Sequence, residues 1–414
     1  MTSVVFLGDD FTGASDSLAT YARGGWRARL VLDAAEGRDP AGLDAMGLPT
    51  DLRSLAPQRA VAEVARLWPR IAEADPRILH FKVCSTFDSG PEIGSIGAVV
   101  AALRERFRPD IVAVIGGQPS LGRYCAFGNL FARGPEGAVH RIDRHPVMSR
   151  HPVTPMNEAD LRRHLALQGL DGLTLVPLTA LTDIDRAAAT LREGPVLLDV
   201  MSAEDQYAIA SALAAAGGRQ LLVGASSVAE ILVAAQAGAS GPARVARPTS
   251  PNVLLFAGSR SITTAAQVDA ATGCRKIPLT AEALATGAAR DAAVAHLKAG
   301  ERVLIHLLPH EDYGLSPDGL ADASSRLVGA ILAEADIGYL GLAGGDTSSR
   351  IATRLGFDAL DFEESLGAGV CVCAATHRDP RRDRMRVMLK GGQMGTPDLF
   401  DRFAARADTG LRAV

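Results

Sequence analysis

The sequence is short of several things, and each shortage closes off a class of protein. Only five cysteines occur in 414 residues, scattered and odd in number, which argues against a disulfide framework in a chain of this size. Cys371 and Cys373 stand one residue apart and would share one face of a strand; with no further ligand nearby, two core thiols fit better than a metal pair. The nine histidines show no His-Glu-x-x-His or comparable spacing, and His145 and His151 flank a loop-like "PVMSR", so metal ligands are unknown. Excess charge is missing as well. A formal net charge of -4 with a pI near 6.2 gives no electrostatic pull toward nucleic acid. The one basic cluster, Arg378 to Arg386, is broken by Asp379 and Asp383 and reads as a solvated turn. No apolar run reaches the length of a membrane span, and the N-terminus enters a strand pattern without a signal-type apolar core, so the expected place is the cytosol and no membrane partner is implied.

What is present is material for two hydrophobic cores. The chain is longer than one core usually organises, and its 47% hydrophobic and 22% charged residues are ordinary for a globular protein. Strand-like and helix-like segments alternate from the start, the pattern that parallel sheets with crossover helices leave in sequence. "VVFLG" precedes a helix from about Thr12 to Arg23, stopped by Gly24-Gly25. "WRARLVL", "RILHFKVCS", "DIVAVIGG", "LTLVPL", "PVLLDVM" and "QLLVGAS" follow as strands. Residues 236 to 251 turn rich in Gly, Pro, Ser and Ala, as a linker does. Then "NVLLFAGS", "RVLIHLL", "IGYLGLAGG", "GVCVCAAT" and "RMRVMLKGG" read as strands of a second domain, closed by an amphipathic helix in "TPDLFDRFAARAD". The expectation is two α/β domains with largely parallel sheets flanked by helices: residues 1–238, a linker at 239–251, and residues 252–414. A cleft between the two would be the natural ligand site.

In open α/β sheets ligands lie beyond the carboxyl ends of the strands, so the strand exits are the informative places. Asp9 and Asp10 follow "VVFLG". A helix cap and an exposed neighbour would explain either residue alone. Together they can accept from sugar hydroxyls, and one can take a proton from a hydroxyl nucleophile. Lys82 leaves another apolar strand, followed by Ser85, Thr86, Asp88 and Ser89 and a Gly90-Pro91 turn. A lysine beside small hydroxyl residues suits an anionic small molecule, although a polar surface loop would look the same. Arg123, in "GGQPSLGRYCAFGNLF", adds a guanidinium that could meet a carboxylate. "GASSVAE", at residues 224 to 230, reads as a plain strand–helix junction because the Gly-x-Ser-x-Gly arrangement is absent.

The second domain offers exits of another kind. "LAGGDTSSRIATRLG" runs from a strand through Gly344-Gly345 and Asp346 into a helix that opens with Thr347 and Ser348, where backbone amides can face a phosphate. It matches neither the Walker A pattern nor Gly-x-Gly-x-x-Gly. "FAGSRSITTAAQV" has the same form, with Ser259, Ser261, Thr263 and Thr264 as donors. "MLKGGQMGTPDLF" supplies Lys390, Gly391 and Gly392. Glycines at single exits serve turns, but three such exits in one domain favour a nucleotide-phosphate site.

Taken in order, "DDFTGASD", "GRYCAFGNLF" with "HPVTPMNEADL", "GSRSITTAAQ", "GGDTS" and "LKGGQMGTPDLF" resemble the four-carbon acid sugar kinases along essentially the full chain. The resemblance implies a small-molecule sugar acid held by the N-terminal domain and ATP with Mg2+ held by the C-terminal domain; a homodimer is compatible with it. It places Asp9, Asp10, Thr12, Gly13 and Lys82 with its following loop in the sugar-acid site. Ser259, Gly345 to Ser348, Gly391 and Gly392 would contact ATP. Most members carry an Asp-Ser-Thr-x-Arg-Gly type sequence after the lysine, whereas this chain reads Cys84-Ser85-Thr86-Phe87-Asp88-Ser89. That segment is closer to the branch that includes 3-oxo-isoapionate kinase, which acts on a branched acid. Readings from other classes are a nucleotide-linked oxidoreductase, disfavoured without Gly-x-Gly-x-x-Gly, and a catalytically silent sugar-acid-binding protein.

Overall fold

The computed structural model describes residues 2–32, 42–235 and 247–409. The chain divides into two compact units, one of Met1–Ala28 with Gly37–Gly241 and one of Arg29–Glu36 with Pro242–Val414. Of the expected linker, residues 239–246 lie outside the described residues.

The first half of the chain runs β1 (Val4–Gly8), α1 (Phe11–Arg23), β2 (Ala28–Val31), β3 (Ala45–Pro49), α2 (Pro57–Ala74), β4 (Ile78–Lys82), α3 (Ile96–Phe107) and β5 (Ile111–Ile115). A three-stranded antiparallel sheet follows, β6 (Arg123–Ala126), β7 (Asn129–Arg133) and β8 (Val139–Arg141), where sequence had suggested no strand. Then come α4 (Leu161–Ala166), β9 (Thr174–Val176), α5 (Ile184–Glu193), β10 (Val196–Leu198), α6 (Ala203–Ala216), β11 (Gln220–Gly224) and α7 (Ser227–Ala235). The main sheet of the first unit is ordered β3-β1-β4-β11-β5-β10-β9, and every pair is parallel. β1, β4, β5 and β11 are buried along their whole length, which is why they read as unbroken apolar runs. His80 is the polar exception inside β4. Its ring lies between the Tyr21 hydroxyl at 3.2 Å and Gly224 O at 3.3 Å, and burial pulls it down to about 3, so it is a neutral core histidine.

The second half runs β12 (Val253–Ala257), α8 (Ile262–Ala270), β13 (Arg275–Leu279), α9 (Ala281–Thr286), α10 (Ala288–Lys298), β14 (Val303–Leu307), α11 (Pro317–Glu334), β15 (Tyr339–Ala343) and α12 (Gly345–Leu355). It ends with β16 (Ala359–Gly367), β17 (Val370–Thr376), β18 (Arg386–Lys390), α13 (Leu399–Ala404) and α14 (Arg406–Thr409), two short helices in place of the single one expected. Here β13-β14-β12-β15-β18 are parallel, and β17, β16 and β2 continue the sheet antiparallel. Leu255, Met388, Phe400 and Phe403 belong to its core. Cys371 and Cys373 are buried on β17 with their sulfurs 3.8 Å apart. The basic cluster is a turn through its exposed arginines, but its last member is not solvated: Arg386 is buried and paired with Glu363 at 2.6 Å. Among the described residues no helix is long and apolar enough to cross a membrane.

Candidate active site

In the first unit three neighbouring strand exits are laced together by backbone. Asp9 N donates to Lys82 O at 2.9 Å, Arg53 N donates to Asp9 O at 3.0 Å, and Thr50 N and Oγ1 donate to Gly8 O at 3.1 and 2.6 Å. The exits of β1, β3 and β4 are thereby fixed against one another, and their side chains converge. Arg53 takes both oxygens of Asp9, from Nε at 3.0 Å and from its terminal nitrogen at 2.8 Å. Its other terminal nitrogen lies 3.1 Å from Asp10 Oδ2. Asp10 caps α1, with Oδ1 accepting from Gly13 N at 2.8 Å. Lys82 is buried and donates to Val83 O at 2.9 Å. A Cβ on Gly13 would fall 2.4 Å from Lys82 Nζ and 2.5 Å from Asp10 Oδ1, so only glycine leaves the ammonium and the carboxylate room at this helix start.

The two aspartates are not equivalent. Asp9 has 7% of its side chain exposed and both oxygens committed to Arg53; Asp10 keeps 27%. Burial raises the Asp9 carboxyl above its ordinary range against the pull of Arg53. Burial acts in the same sense on Asp10, but Arg53 and Lys82 outweigh it and hold that carboxyl low. Asp10 is therefore ionised at neutral pH. With one hydrogen bond to Oδ1 and an ion-pair contact at Oδ2, it retains acceptor capacity for a hydroxyl.

The loop after Lys82 sorts itself into two parts. Thr86, Asp88 and Ser89 are buried and bonded within the protein: Thr86 donates to Asp88, while Ser89 Oγ meets Phe87 O at 2.8 Å, His164 Nε2 at 2.9 Å and Gln168 Nε2 at 2.8 Å. Ser85 and Cys84 are only half-buried, so Ser85 is the hydroxyl of this loop best placed to meet a ligand. Burial pushes the Cys84 thiol up to about 11, which keeps it protonated. Thr12 lies in the first turn of α1, half-buried, its carbonyl accepting from Ser15 Oγ at 2.8 Å. Arg123 donates to Leu121 O at 2.7 Å and its Nε has no partner among the described residues; burial lowers its basicity, yet a guanidinium remains charged.

In the second unit the three glycine-rich exits follow β12, β15 and β18, which are neighbours in the sheet. Gly258 N donates to Ala343 O at 2.8 Å and Gly344 N to Lys390 O at 3.0 Å. Gly344 stands at the N-cap of α12 and, as glycine, brings no side chain to cap the helix. Thr347 and Ser348 are buried in its first turn, and the Ser348 hydroxyl has no partner among the described residues. The side chain of Asp346 lies outside the described residues. Ser259 and Gly392 adjoin: a Cβ on Gly392 would fall 2.5 Å from Ser259 Oγ. Ser261 caps α8 and donates to Gly392 O at 2.6 Å. Lys390 does not project as a free cation. It is fully buried, with Nζ 2.9 Å from Thr264 Oγ1, 2.6 Å from Gln267 Oε1 and 3.4 Å from Gly392 O.

Two residues at these sites escaped the sequence reading. Arg53 follows "AMGLP", a strand as long as β1 and β4 but masked by its glycine and proline. Gln267 sits three residues after Thr264 on one helix face, and that spacing was its only signal. Among the described residues no group of three or more His, Cys, Asp or Glu side chains could hold a metal ion.

Residues 4–232 match the model of a sugar-binding N-terminal domain, and residues 254–400 that of a nucleotide-binding C-terminal domain. The chain is 33% identical to a 3-oxo-isoapionate kinase of Paraburkholderia graminis, covering 96% of this chain and 93% of that protein. It is 30% identical to a 3-oxo-tetronate kinase of Methylobacterium radiotolerans, covering 96% and 97%. Its fold is shared with a Salmonella typhimurium LT2 protein described as a putative tRNA synthase (TM-score 0.79, 23% identity, 97% and 98% covered) and with a Haemophilus influenzae protein (TM-score 0.76, 22% identity, 97% and 99% covered). With both domain models matched and kinases alike over nearly the whole length, the chain is an ATP-using sugar-acid kinase and belongs to the four-carbon acid sugar kinase family.

Proposed function

We propose that this protein transfers the γ-phosphoryl group of ATP to a terminal hydroxyl of a small four-carbon or branched sugar acid, with a branched acid of the 3-oxo-isoapionate type as the first candidate and a 3-oxo-tetronate or threonate type as the next. The ranking follows the relatives: the 3-oxo-isoapionate kinase is 33% identical and the 3-oxo-tetronate kinase 30%. The observation that carries the chemistry is the Asp9–Arg53–Asp10 cluster beside Lys82. Asp10 is the group that orients the hydroxyl and accepts its proton, and Asp9 holds Arg53 in place. Lys82 and Arg123 supply positive charge for the substrate carboxylate, with Ser85, Thr12 and the Gly13 turn around it. Thr86 and Asp88 shape the loop.

The triphosphate belongs at the exits of β12, β15 and β18, against Ser259, Ser261, Gly344, Gly345, Thr347 and Ser348 and the Gly391-Gly392 turn. Magnesium enters as the counter-ion of the triphosphate, which a metal that keeps its waters and binds phosphate oxygens does readily. With no covalent intermediate required, the protein contributes positioning and charge neutralisation. A coupled ATP-consumption screen over linear and branched oxidised sugar acids tests the proposal. Turnover with a 3-oxo acid, followed by product analysis placing the phosphate on a terminal carbon, is the expected result. A nucleotide-linked oxidoreductase or a silent binding protein would leave ATP unconsumed with every acid.

A further inference from the structure

α8 presents Ser261, Thr264 and Gln267 at intervals of three, and all three side chains reach the turn after β18. Ser261 Oγ and Thr264 Oγ1 donate to Gly392 O at 2.6 and 2.9 Å. Gln267 is fully buried, and each side of its amide is used. Nε2 donates to Met394 O at 3.0 Å and to Thr396 O at 3.1 Å, while Oε1 accepts from Lys390 Nζ at 2.6 Å. The network fixes the amide's orientation, since the flipped amide would set its oxygen against two carbonyls and its NH2 against an ammonium. Lys390 Nζ also reaches Thr264 Oγ1 at 2.9 Å. The stretch 391–396 thus has carbonyls at Gly392, Met394 and Thr396 anchored to one helix face, which engages those three acceptors within the protein.

We infer that Gln267, with Lys390 bonded to its oxygen, is a positioning residue for nucleotide binding: it sets the shape of the Gly391–Thr396 turn without itself touching the nucleotide. The inference rests on the nucleotide-phosphate reading of the second unit. The geometry separates it from a merely structural role. Gln267→Glu keeps the side chain's size and gives Lys390 a carboxylate, so the fold has an ion pair in place of a hydrogen bond. The same change sets a carboxylate oxygen against Met394 O and Thr396 O, and the turn must move. Gln267→Met removes all three hydrogen bonds at nearly constant volume and carries no charge.

The experiment is calorimetric titration of the full-length protein and both variants with ADP, alongside their unfolding temperatures without ligand. The expected result is that both variants weaken ADP by roughly tenfold or more, as loss of two buried anchoring hydrogen bonds allows, with Gln267→Glu unfolding at the wild-type temperature. Wild-type ADP affinity in either variant overturns the inference, and so does an affinity loss that only accompanies a lowered unfolding temperature. If the wild-type protein binds no ADP, the nucleotide reading of the second unit falls and takes this inference with it.

Discussion

The two units place different chemistry at the carboxyl ends of their sheets. In the first, the exits of β1, β3 and β4 end in charge: two aspartates share one arginine, with a lysine beside them. In the second, the exits of β12, β15 and β18 are rich in glycine and hydroxyl residues; Arg260 there donates to Pro309 O and Glu311 O, and Lys390 is turned inward onto Thr264 and Gln267. A charged, mutually compensated cluster suits a small acid whose hydroxyl must be oriented and whose carboxylate must be matched. A backbone-lined exit suits phosphate, which amides bind without side-chain charge. Under the proposed assignment, the difference divides the electrostatics of the kinase, with side-chain ions serving the acceptor and backbone dipoles the donor.

Removing the central cation of the first unit should break that contrast most severely. Arg53→Met leaves the buried Asp9 and the half-buried Asp10 without their shared partner, and a loss of about 3–5 kcal/mol of stability is expected, read as a lowered denaturation midpoint together with lost turnover; an unchanged midpoint would show that the cluster is not held by charge. Gly13→Ala should be gentler on the fold, because the atoms its Cβ meets are the flexible ends of Lys82 and Asp10. It displaces both, so turnover should fall roughly a hundredfold, as an ångström-scale misplacement does, while ADP titration stays as in wild type. On the other side, Ser259→Ala should weaken ADP about three- to tenfold, the worth of one hydrogen bond, with stability within ~0.5 kcal/mol of wild type.

A further test sharpens the comparison through pH. Burial pulls Lys390 down to about 8 from 10.5. Between those values the unfolded chain binds a proton that the folded one lacks, so this group's contribution to stability rises with pH across the window. Denaturation midpoints at pH 7.5 and pH 10 should therefore diverge between wild type and Lys390→Met, the wild type gaining on the variant as pH rises; a constant difference would contradict the burial of a strained ammonium.

Much of this was legible in the sequence, for reasons that are themselves physical. The buried parallel strands announced themselves as apolar runs because both faces are covered, and the aspartate pair and the three glycine exits stood out because charge or glycine directly after such a run is unusual. What did not show was where side chains turn. Thr86 and Asp88 read like ligand contacts yet bond to each other, and Lys390 read like a phosphate contact yet braces a turn. Arg53 was not legible because glycine and proline interrupt the apolar run of β3 and its exit carries no glycine motif. Composition cannot distinguish a polar group that faces a ligand from one that satisfies a neighbour; only the hydrogen-bond partners do.

The division between charged and backbone-lined exits meets its most direct test in Asp10→Asn, assayed twice on the same preparation: phosphoryl transfer to a 3-oxo sugar acid, and calorimetric binding of ADP. The account predicts a loss of turnover of roughly a hundredfold or more, the scale of general-base catalysis, with ADP binding unchanged. Retained transfer, or a loss of ADP binding, would contradict it.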